Sequence, residues 1–95
     1  MNKEQFYELF EIFDRVNEGI LSMSKGYELC VRKKLDIKRN AFINFCKNLK
    51  ILVLIEQECG NPDVLYKVAK SMNVEYVYLG YCTYRQEKEE QDNEL

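Results

Sequence analysis

The sequence predicts an α+β fold in which a three-helix core is followed by a β-hairpin. Apolar residues recur every three to four positions through the first half of the chain, a spacing typical of amphipathic helices. Residues 52–58 (LVLIEQE) and 64–69 (VLYKVA) are rich in aliphatic and β-branched residues and flank the loop CGNPD, an arrangement typical of a hairpin. A chain of 95 residues is long enough for one small core.

The first predicted helix runs from Lys3 to about Asn17. Its apolar residues follow the spacing of a single buried stripe and are Phe6, Leu9, Phe10, Phe13 and Val16. Gly19 follows, as glycine often does where the backbone turns left-handed after a helix. We interpret the aromatic stripe as core.

The second predicted helix begins at Ser24, which can cap it, and runs to about Leu35. The candidates for its buried side are Tyr27, Leu29, Val31 and Leu35. Three cations, Arg32, Lys33 and Lys34, lie at its end, where they could contact a nucleic-acid phosphate. The same cations are also favourable at the negative end of the helix dipole.

The third predicted helix is capped by Asp36 and runs from about Ile37 to Lys50. Helical periodicity places on one side an apolar set of Ile37, Ala41, Phe42, Phe45, Cys46 and Leu49. The opposite side is basic and amide-rich, with no carboxylate, and consists of Lys38, Arg39, Asn40, Ile43, Asn44, Lys47 and Asn48.

The second side of that helix has the chemistry of a surface that reads DNA. Arg and Lys donate to guanine or phosphate, Asn matches adenine, and an aliphatic group can contact the thymine methyl. The charge distribution points the same way: residues 24–50 hold eight basic and two acidic side chains, a net charge of +6 in a chain of −2. An ordinary solvated helix face is the alternative interpretation.

The C-terminal part of the chain contains two different patterns. Residues 74–84 (VEYVYLGYCTY) are rich in Val and Tyr, which favours a strand. The same stretch also fits a helical stripe that could pair across a dimer, formed by Val74, Val77, Tyr78, Tyr81 and Tyr84. Residues 85–95 (RQEKEEQDNEL) are polar and acidic, and we expect a disordered tail there, after one domain over residues 1–84.

The order helix, helix, turn, helix and hairpin resembles the winged helix-turn-helix superfamily. Residues 35–56 (LDIKRNAFINFCKNLKILVLIE) look like its turn, its recognition helix and the exit into the first wing strand, and the hairpin extends the likeness to about residue 69. Asp36 stands where the turn often has glycine, and Arg32 where a small residue is common. A rival alignment is all-α and requires residues 52–58 to be helical. In it, the segments IEQECGNP, LYKVAKSMNV and YLG look like the later helices of the phage-repressor type of helix-turn-helix protein.

The resemblance and the chemistry of the third helix together predict sequence-specific binding of double-stranded DNA. Because one short helix reads only a few base pairs and two-fold proteins read paired half-sites, we also expect a homodimer. The chain's small, Lys- and Asn-rich character is similar to transcription regulators and to plasmid transfer or maintenance factors, including those that bind an origin of transfer. The expected contacts are Lys38, Arg39, Asn40, Ile43, Asn44 and Lys47 in the major groove, Arg32, Lys33 and Lys34 on phosphates, Lys25 in the same basic block, and Asn61 and Lys67 on the hairpin. The alternative function is a phage or plasmid inhibitor that binds a host protein through the Tyr-rich residues 76–84.

Several classes of function lack their usual residues. The chain has no histidine, no phosphate-binding glycine loop and no nucleophile beside a base, so we expect no enzymatic activity and no cofactor. The four cysteines have no C-x-x-C spacing; we expect Cys30, Cys46 and Cys82 to be buried, Cys59 to be a loop thiol, and no metal site. The N-terminus is acidic and amphipathic and no apolar run approaches a membrane span, so we expect a cytoplasmic protein.

Overall fold

The computed structural model describes residues 1–93, and these form five α-helices and no β-strand. The helices are α1 (Lys3–Asn17), α2 (Met23–Arg32), α3 (Arg39–Glu58), α4 (Pro62–Ser71) and α5 (Glu75–Asn93). None of the described helices is long and apolar enough to cross a membrane.

The predicted α+β fold, with its β-hairpin wing, is wrong. Residues 52–58 continue α3, and residues 64–69 lie within α4. Helical spacing carries the buried side of α3 from Cys46 and Leu49 on to Leu52 and Val53, and this periodicity outweighs the strand preference of the aliphatic run. The rival all-α alignment required helical residues 52–58, and that requirement is met.

The predicted hairpin turn is the start of a helix. Asn61 caps α4, with its Oδ1 accepting a hydrogen bond from the N–H of Asp63 at 3.0 Å, and Pro62 occupies the first helical position. Proline suits that position because its missing N–H would have no intrahelical partner there. Asn, Pro and Asp favour both turns and helix starts, so the local sequence did not distinguish the two.

The strand predicted over residues 74–84 is also wrong, since this stretch lies in α5 apart from Val74 just before it. The helical alternative is closer to the structure, because Tyr78, Tyr81 and Tyr84 share one side of α5. That side is buried within the chain itself, whereas the prediction had it pair across a dimer. The segment predicted as a disordered tail is helical as far as Asn93, and residues 94–95 lie outside the described part of the chain.

The helix boundaries agree with prediction for α1 and differ for the next two helices. α1 spans the predicted residues, and Gly19 follows it with a φ of 79° as expected. Ser22, not Ser24, caps α2, because its side chain accepts from the N–H of Lys25. α3 starts at Arg39, so Asp36 lies in the preceding turn and is not its cap.

Three of the helices end in the same way, with a left-handed residue one position beyond the C-cap. After α2, Lys34 has a φ of 58°, and the N–H groups of Lys34 and Leu35 donate to the carbonyls of Val31 and Cys30. Gly19 after α1 and Asn73 after α4 have the equivalent paired bonds. This arrangement satisfies carbonyls that the end of a helix leaves unpaired.

The chain divides into two compact units, of which the first is Met1–Lys47. In this unit the rings of Phe10 and Phe13 on α1 pack against Phe45 on α3, with centroid distances of 5.9 and 6.3 Å. Gly26 on α2 is buried beside Val16 and Phe42. Of the predicted buried side of α2, Val31 is exposed, and Gly26 and Cys30 are the buried residues of that helix.

The second unit begins at Asn48 and contains the last part of α3 together with α4 and α5. Its core is aliphatic on α3 and α4 and aromatic on α5, and consists of Leu49, Leu52, Val53, Leu65, Ala69, Tyr78, Tyr81 and Tyr84. The three tyrosines recur at intervals of three residues, which keeps them on one side of α5.

We predict that Gly26→Ala destabilises the protein by about 1–3 kcal/mol, despite alanine's better helix propensity. A Cβ at this position would lie 2.8 Å from Val16 Cγ2 and 3.2 Å from Phe42 Cζ. Chemical denaturation followed by circular dichroism measures the change. Gly60→Ala is the matched control, because its Cβ would meet nothing within 4 Å and should leave stability nearly unchanged; equal effects in both variants would contradict the packing argument.

We predict that Lys34→Gly raises the free energy of unfolding by about 1 kcal/mol, since a side chain in the left-handed region costs about that much. Asn73→Gly should give a smaller gain, because asparagine adopts this conformation more readily. Thermal unfolding of both variants provides the comparison. A Lys34→Gly protein that melts below the parent would show that the side chain of Lys34 stabilises the turn.

Candidate nucleic-acid interface

The basic residues predicted to contact DNA are concentrated in the first unit and lie at its surface. They are carried by α2, by the turn over residues 33–38 and by the first part of α3. Of the contact residues predicted in this unit, Ile43 is half-buried, and the basic and amide residues are exposed. We call the exposed set the basic surface: Lys25, Arg32, Lys33, Lys34, Lys38, Arg39, Asn40, Asn44 and Lys47.

The division of α3 into two sides is confirmed for most of its residues. Phe42, Cys46 and Leu49 are buried, whereas Asn40, Asn44 and Lys47 are exposed. Ala41, which was expected on the apolar side, is exposed, and Ile37 precedes the helix. The cations and amides of α3 are therefore accessible because the apolar side of the helix is used in the core.

The start of α3 combines two sources of positive potential. Its first turn holds no acidic residue and begins with Arg39, directly after Lys38. The N–H groups of a first helical turn have no intrahelical acceptors and carry the positive end of the helix dipole. Anions are favoured at such a position, and phosphate groups commonly bind there.

The turn between α2 and α3 is held by its own backbone. The N–H of Leu35 donates to the carbonyl of Cys30, and the N–H of Ile37 donates to that of Leu35. The side chain of Leu35 is buried and anchors the turn in the core. Lys33 and Lys34 are thus attached to a backbone of defined conformation, which lowers the entropy lost when their side chains meet a partner.

A shallow depression of about 220 Å³ lies along α2 within the basic surface. Lys25 and Arg32 border it, together with Leu21, Leu29 and the carboxylate-bearing Glu28. Glu28 and Asp36 are the acidic members of residues 24–50. The depression therefore offers Lys25 and Arg32 to an anionic group of a ligand, and Glu28 to a hydrogen-bond donor of the same ligand.

Two of the predicted contact residues lie in the second unit. Asn61 has its side-chain oxygen engaged as the cap of α4, and Lys67 is exposed on that helix. Both were placed on a hairpin, and that placement is wrong because the hairpin is absent from the described residues. Asn61 and Lys67 therefore belong to a different unit from the basic surface.

The Tyr-rich segment of the alternative function is mostly internal. Tyr78, Tyr81 and Tyr84 are buried, and Tyr76 is 84% exposed. A partner that approaches this segment would meet one of its four tyrosines directly.

A cluster of polar side chains in the second unit, centred on Glu56, was not predicted from the sequence. Its carboxylate accepts two hydrogen bonds from Arg85, from Nη1 to Oε1 and from Nη2 to Oε2, both 2.8 Å long. The hydroxyl of Tyr78 donates to Oε2 at 2.6 Å, and the guanidinium lies 4.6 Å from the ring centroid of Tyr81. Residues 29 positions apart leave no local sequence signal, so only the packing of α5 on α3 reveals the cluster.

The cluster shifts the protonation equilibria of its members. The hydrogen bonds from Arg85 hold the pKa of Glu56 below its ordinary value, against the opposing effect of burial. Burial, followed by the bond to Glu56, raises the pKa of Tyr78, and the bond to Glu56 raises the pKa of Arg85. Glu56 and Arg85 therefore stay charged and Tyr78 neutral over the ordinary pH range.

A cavity of about 320 Å³ adjoins this cluster in the second unit. Its walls are mainly apolar, and Glu56, Leu65, Tyr66, Leu79 and Cys82 are among the residues that line it. The Glu56 carboxylate already accepts three hydrogen bonds, so its main effect is to fix α5 to the end of α3.

The cysteines follow the predicted pattern with one difference. Cys30 and Cys46 are buried, and burial raises their pKa values to about 11 and about 12, so both thiols stay protonated. Cys59 is exposed in the loop after α3, as expected. Cys82 is only half-buried, because one side of it lines the cavity.

We predict that Glu56→Gln lowers the stability by about 1–2 kcal/mol at neutral pH, between the values typical of exposed and of buried ion pairs. Because the folded-state pKa of Glu56 lies below 4.5, its contribution is present above that pH and is lost as the pH falls through the folded value. The parent should lose this part of its stability below about pH 4.5, and the variant should not. Denaturant titrations across the pH range measure both effects.

Glu11→Gln is the matched control for that experiment. Glu11 pairs with Arg15 at 3.1 Å on the surface of α1, with both side chains about half exposed. Exposed pairs of this spacing contribute about 0.3–0.5 kcal/mol. A loss as large as that of Glu56→Gln would contradict a special role for the Glu56 cluster.

Comparison of the chain with protein-family models, with curated protein sequences and with solved structures found no match in any of the three. The resemblance to winged helix-turn-helix proteins therefore has no support from relatives, and the all-helical described fold lacks the wing. The chemistry of the exposed surfaces is the remaining basis for a function.

Proposed function

We propose that the first unit binds double-stranded DNA through the basic surface. The observation that carries this proposal is the exposure of all nine basic and amide side chains of that surface within one compact unit. Residues 24–50 carry a net charge of +6, although the whole chain carries −2. Such a concentration of positive charge favours a polyanion, and the acidic remainder reduces indiscriminate attraction.

The shape of the surface supports a duplex as the partner. The exposed side of α3 presents Arg39, Asn40 and Asn44 along a helix, and the major groove of B-DNA is wide enough for a helix to enter. Asn can bond both adenine N6 and N7, and Arg can bond guanine O6 and N7. These three residues are the candidates for reading base sequence.

The cations outside α3 have a different role in the proposal. Lys33 and Lys34 extend from the turn between α2 and α3, and Lys25 and Arg32 border the depression along α2. Contacts of such residues with phosphates set the position of a protein on DNA and give binding its salt dependence.

We predict that Arg39→Ala and Asn44→Ala each weaken binding to a preferred duplex by about 1–3 kcal/mol and relax base preference at one or two positions. Selection from a pool of random duplexes identifies the preferred sequence, and fluorescence anisotropy measures the affinity at several salt concentrations. Lys67→Ala is the matched control, since it removes an exposed cation from α4 outside the basic surface. It should bind like the parent.

Lys33→Ala tests the phosphate contacts separately. This variant should weaken binding about equally for all sequences and reduce the slope of log affinity against log salt by about one. Absence of salt-dependent binding to any duplex at low ionic strength would overturn the proposal. If Lys67→Ala and Arg39→Ala weakened DNA binding equally, the proposed role of α3 would be contradicted.

A further inference from the structure

An exposed stripe runs along α3 from Lys47, which is also part of the basic surface, to Glu58 at the end of the helix. Lys47, Ile51, Leu54 and Glu58 follow one another at intervals of four, three and four residues, so they share one face of the helix. Ile51 and Leu54 are 45% and 51% exposed, and both charged residues are exposed. Leu49, Leu52 and Val53, on the other side, fill the core.

We propose that this stripe binds the same stripe of a second copy of the chain, with the two α3 helices antiparallel. The spacing of the stripe is that of the contact positions in a coiled coil. Lys47 belongs to both proposed surfaces, whereas Ile51, Leu54 and Glu58 lie outside the basic surface. The contact between copies is therefore tested in the absence of DNA.

The antiparallel arrangement follows from the order of residues along the stripe. A two-fold axis between Ile51 and Leu54 places Ile51 of each copy against Leu54 of the other, and so forms a small apolar centre from four side chains. The same register, continued outward, places Lys47 of each copy opposite Glu58 of the other. Two identical ion pairs then flank the apolar centre.

The charges exclude the opposite orientation. In a parallel pair, Lys47 would face Lys47 and Glu58 would face Glu58, and both contacts would be repulsive. Among the residues that the structure describes, neither Lys47 nor Glu58 has an ion pair within the chain. Glu58 is also the last residue of α3, where a carboxylate is unfavourable and a cation from a second copy would offset it.

The stripe is short for a protein interface, so we expect a weak association. Residues 47–58 make about three helical turns, and contacts of this extent fall at the small end of protein interfaces. The dimer therefore dissociates on dilution. Its formation is measured as a rise in the average molecular mass with protein concentration.

Sedimentation equilibrium of the full chain without DNA, at concentrations up to about 1 mM, tests the proposal. We expect a monomer–dimer equilibrium in the parent and a dissociation constant at least about tenfold higher in Leu54→Glu. Leu79→Glu is the matched control, because Leu79 is 47% exposed but lines the cavity beside α4 and α5. A monomer at all concentrations, or a dimer broken by Leu79→Glu and not by Leu54→Glu, would overturn the proposal.

Charge reversal tests the register itself. Lys47→Glu and Glu58→Lys should each raise the dissociation constant about fivefold or more, since each creates two repulsive contacts per dimer. The double variant restores both pairs with reversed sign and should return the constant to within about twofold of the parent. Additive losses in the double variant would show that the two residues do not face each other.

Discussion

The fold depends on the uninterrupted apolar side of α3. Over its twenty residues this helix supplies Phe42, Phe45 and Cys46 to the first unit, and Leu49, Leu52 and Val53 to the second. No glycine or proline interrupts it. Burial of these side chains contributes about 1.5–3 kcal/mol for each large residue.

The commitment of one side of α3 to the core decides what the other side can do. The helical repeat keeps the side chains of the other side at the surface. These are cations and amides at the start of the helix, and apolar and charged residues near its end. The proposed DNA contacts and the proposed contact between copies are therefore two uses of the outward side of one helix. They differ in chemistry because the sequence changes from basic and amide-rich to aliphatic along it.

Three of the four connections between the described helices contain a left-handed residue with paired backbone hydrogen bonds, and the connection between α2 and α3 carries Lys33 and Lys34. Glycine is the ordinary choice at such a position, and the chain has it at Gly19. After α2 it has Lys34, which accepts an unfavourable backbone conformation and presents a positive side chain in the turn.

The sequence by itself determined the features that depend on neighbours within about four residues. These are the bounds of α1, the left-handed turn at Gly19, the burial of Cys30 and Cys46, and the two sides of α3. Periodicity and capping act locally, so they can be read from a short stretch. The basic surface was identified for the same reason, since charged residues on the outer side of a helix remain exposed.

Tertiary structure alone decided whether residues 52–58 and 74–84 are strand or helix. A strand requires a distant partner strand, and aliphatic or tyrosine-rich runs suit either state until their neighbours are known. Packing on the rest of the second unit made residues 52–58 and 75–84 helical and buried Tyr78, Tyr81 and Tyr84. It also brought Glu56 to Arg85, a contact that joins two helices and has no counterpart in local sequence.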